Sequence, residues 1–189
     1  MKTTILGIFL SLIGTFAFAQ KKEKDTAKVH LPLKDGMVYY EKILEGMSGA
    51  KQEDLYTASL KWMAETFNDS KEVIQVKDKE SGTITGSGVF KYFVQGFIGE
   101  SGTISFMVDI TTRDTKSRFR LYQFTNNYSP SYTSSVTKVP IEKAYLTYLT
   151  EKRFPRENKK RYQAIAASID EIIASYEKYI KSSSVKDDF

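Results

Sequence analysis

Apolar residues recur along this chain with two periods, and the switch between them lays out the elements. From Thr103 to Thr111 the alternation is strict: Ile104, Phe106, Val108 and Ile110 fall on one side, Ser105, Met107 and Asp109 on the other. That is the period of a strand with one buried face. The same reading predicts strands over Met37 to Glu45, Glu72 to Lys77, Thr83 to Gln95 and Arg118 to Thr125, with turns at Glu80-Ser81-Gly82 and Asp114-Thr115-Lys116. Helical spacing marks Lys51 to Phe67, where Leu55, Ala58, Leu60, Trp62, Met63 and Phe67 recur behind the acidic pair Glu53 and Asp54. Pro140 opens a short helix to about Thr150, and Pro155 breaks it. Glu157 to Lys181 carries the clearest stripe: Tyr162, Ile165, Ile169, Ile172, Ile173, Tyr176 and Ile180.

The order is strand, helix, four antiparallel strands, then helices, which predicts an α+β fold: a sheet of about five strands with helices on one face. The expected organisation is a signal peptide over 1–19 and a flexible leader over 20–33. A sheet domain follows over 34–125, a loop over 126–139, helices over 140–181 and a frayed tail over 182–189. Gly86 and Gly88 share the inner face of their strand, leaving room for a bulky residue, with Trp62 the candidate.

The N-terminal segment changes the functional picture most. Lys2, an apolar run from Ile5 to Phe16 and Ala17-Phe18-Ala19 before Gln20 make the three-part pattern of a secretory signal. The run is shorter than the roughly 20 residues that span a bilayer, so cleavage after Ala19 with no remaining transmembrane span is expected. The chain is then exported, to the periplasm or outside the cell. It has no cysteine, which removes disulfides, thiol nucleophiles and a lipid-bearing cut site. Its formal net charge of +5 suits an anionic partner but equally keeps a small domain soluble. Export argues against nucleic acid as that partner.

Candidate chemistry is sparse. The only histidine, His30, falls in the leader, where nothing would orient an imidazole for catalysis. Zinc sites of Cys and His are excluded by composition. Asp78, Glu80 and Asp109 lack the spacing of a calcium loop, and Gly82, Gly86 and Gly88 precede a strand rather than a helix, so they form no phosphate loop. No metal and no cofactor are expected. The distinctive feature is the sheet face away from the helices. If Phe119 and Leu121 point inward, Arg118, Arg120, Tyr122 and Phe124 point outward, sharing that face with Lys91, Asp109, Met107, Ser105, Thr85 and Ser87. Guanidinium and aromatic groups on an open sheet can pair with anions and stack on rings. The candidate binding residues are therefore Arg118, Arg120, Tyr122, Lys91 and Asp109.

Several stretches together resemble a known family: Leu31-Pro32-Leu33-Lys34-Asp35-Gly36-Met37-Val38-Tyr39-Tyr40, the helix segment Lys61-Trp62-Met63-Ala64-Glu65-Thr66-Phe67, Val73-Ile74-Gln75, and Gly82-Thr83-Ile84-Thr85-Gly86-Ser87-Gly88. This resembles a domain of unknown function with a TATA-binding-protein-like fold, found in exported proteins of Bacteroidota, over roughly Leu31 to Phe124. Arg118-Phe119-Arg120 is similar to that family's basic and aromatic last strand. The resemblance implies a curved antiparallel sheet backed by helices, with no established activity and no catalytic residues.

The resulting expectation is an exported, non-enzymatic binding or interaction module for a protein or envelope glycan, of open oligomeric state. The alternatives are an envelope hydrolase working through carboxylates and a structural or oligomeric envelope protein. Asp25-Thr26-Ala27 also resembles an O-glycosylation motif of exported proteins. Mass spectrometry of the chain purified from the envelope of an exporting host should find Gln20 as the first residue. Retention of residues 1–19 would contradict cleavage.

Overall fold

The computed structural model describes residues 27–67, 74–94, 100–128, 137–150 and 155–184. The signal segment 1–19 and Thr26 lie outside the described residues. Two short strands, β1 (Leu33–Lys34) and β2 (Met37–Val38), form a small hairpin. The main sheet has six strands: β3 (Tyr40–Leu44), β4 (Ile74–Asp78), β5 (Thr83–Val94), β6 (Glu100–Arg113), β7 (Lys116–Tyr128) and β8 (Thr137–Pro140). All pairings are antiparallel in the order β3-β7-β6-β5-β4, with β8 also on β7. Helices α1 (Gln52–Thr66), α2 (Ile141–Thr150) and α3 (Pro155–Ser184) complete the domain.

The α+β order expected from the sequence holds, with one more strand in the sheet. β7 runs on to Tyr128 and Thr137–Pro140 pairs with it, so the ends of the expected loop over 126–139 are strand. β3 covers Ser117 to Leu121 of β7, and β8 takes over that edge from Thr125 to Tyr128. A stretch with few apolar residues is strand here because a neighbour's free hydrogen-bonding edge recruits it. Ser182–Ser184, expected as frayed tail, continue α3.

The expected leader also differs at its C-terminal end. Leu31 is buried, and residues 28–31 lie along α2. The Val29 amide donates to the Tyr148 hydroxyl at 2.9 Å and the Leu31 amide to the Tyr145 hydroxyl at 2.7 Å. The Lys28 ammonium donates to the Leu149 carbonyl near the end of α2, where a cation suits the helix dipole. Two phenols one helical turn apart thus replace the strand that would normally satisfy this backbone. Tyr145 and Tyr148 pack on Tyr162 of α3, with centroids 5.0 and 4.8 Å away.

The core lies between the sheet and the pair α1 and α3. β5 contributes Ile84, Tyr92 and Val94, β6 Ile104, Phe106, Val108 and Ile110, and β7 Phe119, Leu121 and Phe124. α1 adds Leu55, Trp62 and Met63, and α3 adds Tyr162, Ile165, Ile169, Tyr176 and Ile180. The space above Gly88 is filled by Phe106 rather than Trp62: a Cβ there would lie 2.3 Å from the Phe106 ring. Gly88 and Phe106 are direct cross-strand partners, and Tyr92 covers its own partner Gly102 likewise, so neighbouring strands supply both rings. Trp62 instead stands edge-on to Phe119 at 5.4 Å and Tyr176 at 5.0 Å.

At the centre, the Tyr176 ring stacks on Phe119 at 4.5 Å, and its hydroxyl meets Ser59 Oγ of α1 at 3.0 Å and Ser117 Oγ of β7. Ser59 donates its only proton to the Leu55 carbonyl at 2.7 Å. Tyr176 therefore donates to Ser59, and Ser117 donates to Tyr176. Burial pushes the Tyr176 phenol up to about 12 from 10.0, the two serine hydrogen bonds opposing it. Tyr162 is likewise raised to about 12, first by burial.

Replacing Tyr176→Phe should cost about 1–2 kcal/mol, because Ser117 loses its acceptor in the dry core. That corresponds to a melting temperature lower by roughly 2–8 °C for a chain of this size. The raised phenols also set the alkaline limit: their contribution is complete below pH 10 and is lost as pH climbs from about 10 to about 12. Denaturant titrations at stepped pH should show this fall, shallower in the Tyr176→Phe variant. A parallel decline in both proteins would contradict it.

Candidate functional site

The strand pairings lay the outer face out in rows. One row runs Ile43, Arg118, Thr111, Thr83 and Asp78, and the next runs Glu41, Arg120, Asp109, Thr85 and Val76. Tyr122 stands opposite Met107, which stands opposite Ser87. Because the inner residues of β5, β6 and β7 are buried in the core, the period of two fixes their members of these rows on the far side, and register carries the β3 and β4 partners with them. α1 and α3 pack on the inner side and α2 at the β7–β8 edge, so among the described residues no helix covers the outer face.

Arg118, Arg120, Tyr122 and Asp109 are brought together, and Lys91 is not. Lys91 pairs with Thr103, six residues along β5 from the partner of Asp109, or about 20 Å. Phe124, expected outside, is buried against Phe106, with ring centroids 5.8 Å apart. A β-bulge causes the reversal. Met107 pairs with Tyr122 but Ser105 with Thr125, so β7 holds one extra residue there, and Gln123 takes the left-handed φ of 53°. The bulge shifts the alternation by one and turns Phe124 inward.

The two arginines have different surroundings. Arg120 forms an ion pair with Asp109, their side chains 24% and 14% exposed, and Glu41 flanks it on β3. Arg118 reaches only Thr111 Oγ1, at 3.4 Å, and forms no ion pair among the described residues. Its β3 neighbour is Ile43, 52% exposed. Among the described residues, the buried polar side-chain atoms without a partner all belong to this face: Asp109 Oδ1, Arg118 Nε, Arg120 Nε and Asn127 Oδ1. Burial, then the Asp109 carboxylate, raises the Tyr122 phenol, which stays a neutral donor. The face thus has a charge-compensated centre and a less compensated cationic side.

Two groups escaped the sequence reading. The outer row of β6 continues to Arg113, opposite Lys116, next to Arg118 at the hairpin end. Lys116 pairs with Glu45 at 3.0 Å, whereas Arg113 forms no ion pair among the described residues. The expected strands stopped at Thr111 and Arg118, so neither residue was counted on a face.

Asp78 caps a turn, accepting from the Ser81 and Glu80 amides at 3.1 Å each; Ser81 above all holds its carboxyl below the usual range. His30 is exposed on the strap beside α2. Among the described residues no group of three His, Cys, Asp or Glu side chains could hold a metal. A groove of about 450 Å³ between α1 and the end of α3 is lined by Glu53 and Asp54 with Lys61 and Tyr179. Both carboxylates are exposed, and Glu53 is engaged by Lys79 at 2.5 Å. No helix among the described residues is long and apolar enough to cross a membrane.

Arg120→Gln should destabilise the chain by about 1–3 kcal/mol, because it strands the mostly buried Asp109 carboxylate. Adding Asp109→Asn should restore most of that loss, measured by urea unfolding. Additive losses in the double variant would contradict a coupled pair.

The chain is similar to two solved structures, a TBP-like protein from Parabacteroides distasonis and a DUF4468 family protein from Bacteroides ovatus. The first aligns with a TM-score of 0.64 at 16% identity, covering 79% of this chain and 96% of the other. The second aligns with a TM-score of 0.62 at 18% identity, covering 79% and 90%. At such identities the likeness carries the fold alone. None of the curated proteins matches the chain in sequence. Residues 39–127 match the family model described as a domain of unknown function (DUF4468) with TBP-like fold. Those residues span β3 to β7 and so include the whole candidate face apart from β8. Over those residues the chain matches the DUF4468 family, and the two solved structures share its TBP-like fold.

Proposed function

We propose that this protein is an exported, non-enzymatic binding module whose outer sheet face receives a protein or glycan partner of the cell envelope. The observation that carries the reading is the asymmetry of the sheet. The helices take one side, while the other side holds the Arg118 guanidinium, which has no carboxylate partner among the described residues, and exposed apolar side chains at Ile43, Val76, Val89 and Phe93. A monomer gains nothing from leaving such groups in water, whereas a docking surface uses them. Support for export is the sequence pattern of residues 1–19. Support for binding without catalysis is the state of the carboxylates. Those with a shifted pKa, Asp78 and Glu177, are lowered, by Ser81 and by Lys181 respectively, which opposes proton donation.

Ser87→Trp places a bulky ring in the middle of the face without touching the core, and Ala167→Trp does the same on exposed α3. In pulldowns from the native envelope, wild type and Ala167→Trp should retain the same partner and Ser87→Trp should lose it. Equal retention by Ser87→Trp would overturn the assignment of the face.

A further inference from the structure

The hairpin end of the outer face has a more specific chemistry. Arg113 and Arg118 sit diagonally across the β6–β7 pair, about 7–8 Å apart by strand geometry, and neither has a carboxylate among the described residues. Lys116, opposite Arg113, adds a third cation, offset by Glu45. On the β3 side of Arg118 lies Ile43, 52% exposed. Arg120, the other guanidinium on this face, is already neutralised by Asp109 and does not compete for the ligand.

We infer that this corner docks an extended acidic segment of a protein partner, with alternate carboxylates on Arg113 and Arg118 and an apolar side chain on Ile43. The inference rests on the outer face being the binding surface. Side chains two apart on an extended chain recur about every 7 Å on one side, which matches the diagonal spacing of the two arginine positions on the strands. Each guanidinium presents a fork of donors suited to a carboxylate. The corner lies on the sheet face that no helix covers among the described residues, so it suits a macromolecular ligand better than a small anion. An aliphatic neighbour beside the cations suits a peptide, whereas a sugar ring is better served by an exposed aromatic face.

The test is fluorescence anisotropy of a short labelled peptide of alternating glutamate and valine with the purified mature chain. The glutamine–valine counterpart, polygalacturonate and phosphatidylglycerol vesicles serve as comparators. The acidic peptide should bind, the neutral one should not, and Arg113→Gln with Arg118→Gln should weaken binding tenfold or more. Lys143→Gln with Lys178→Gln removes the same charge from exposed helix positions and should leave binding unchanged. Equal weakening by that control would overturn the inference in favour of diffuse charge attraction. Binding of polygalacturonate or vesicles without the peptide would overturn the polypeptide assignment. If the peptide fails while Ser87→Trp still releases the envelope partner, this inference falls and the binding face stands. If Ser87→Trp keeps the partner, the face itself falls.

Discussion

One buried hydroxyl holds the layers of this domain in register. The phenol of Tyr176 on α3 sits between Ser59 on α1 and Ser117 on β7, with its ring flat on Phe119 and edge-on to Trp62. An apolar interface between two helices and a sheet tolerates sliding, because dispersion has little direction. A dry hydroxyl chain does not, since a shifted helix leaves a donor or acceptor unpaired. Trp62 adds a second directional contact, its indole donating to Ser175 at 3.1 Å. Both bonds tie α3 to α1, and the Ser117 bond ties the pair to the sheet.

That arrangement determines what the other face can do. With the alternate apolar side chains Ile84, Ile104, Phe106, Val108, Ile110, Phe119 and Leu121 of β5, β6 and β7 committed inward, alternation forces Arg113, Arg118, Arg120, Asp109 and Tyr122 outward. They are not equivalent there. Asp109 lies directly opposite Arg120 and cancels it, so charge is left over at the hairpin end. The hairpin turn also serves the core. The Asp114 carboxylate accepts the Gln52 amide at 2.8 Å in the first turn of α1, and the Thr115 amide donates to the Ala50 carbonyl at 3.1 Å. Attachment of the turn to α1 fixes the two strands that carry Arg113 and Arg118, which form no ion pair among the described residues. A rigid mounting lowers the entropy cost of docking.

Where a residue's fate depended on its own strand, the sequence was readable. Ile104, Phe106, Val108 and Ile110 alternate as expected, and the stripe of α3 from Tyr162 to Ile180 is the face it buries. Reading failed where a distant segment decided. Phe124 turned inward through a bulge at Gln123, a residue with no helpful side chain for such a φ, so alternation alone pointed the wrong way. The segment Lys28 to Leu31 looked like linker because its partners, Tyr145 and Tyr148, lie more than a hundred residues away. Gly88 announced a space but not its occupant, which came from Phe106 on the adjoining strand. The candidate face was legible at Arg118, Arg120, Tyr122 and Asp109. It was too wide at Lys91 and too short at Arg113, because pairing register and strand ends are properties of the sheet.

The central claim is that the outer face is where a partner sits, and side-chain footprinting tests it most directly. Hydroxyl radicals label Met107 and Tyr122 on the outer face and Tyr179 and Leu146 on the helical side. With the native envelope partner bound, Met107 and Tyr122 should become protected while Tyr179 and Leu146 keep their reactivity. Protection confined to Tyr179 or Leu146 would place the partner on the helices and contradict the account.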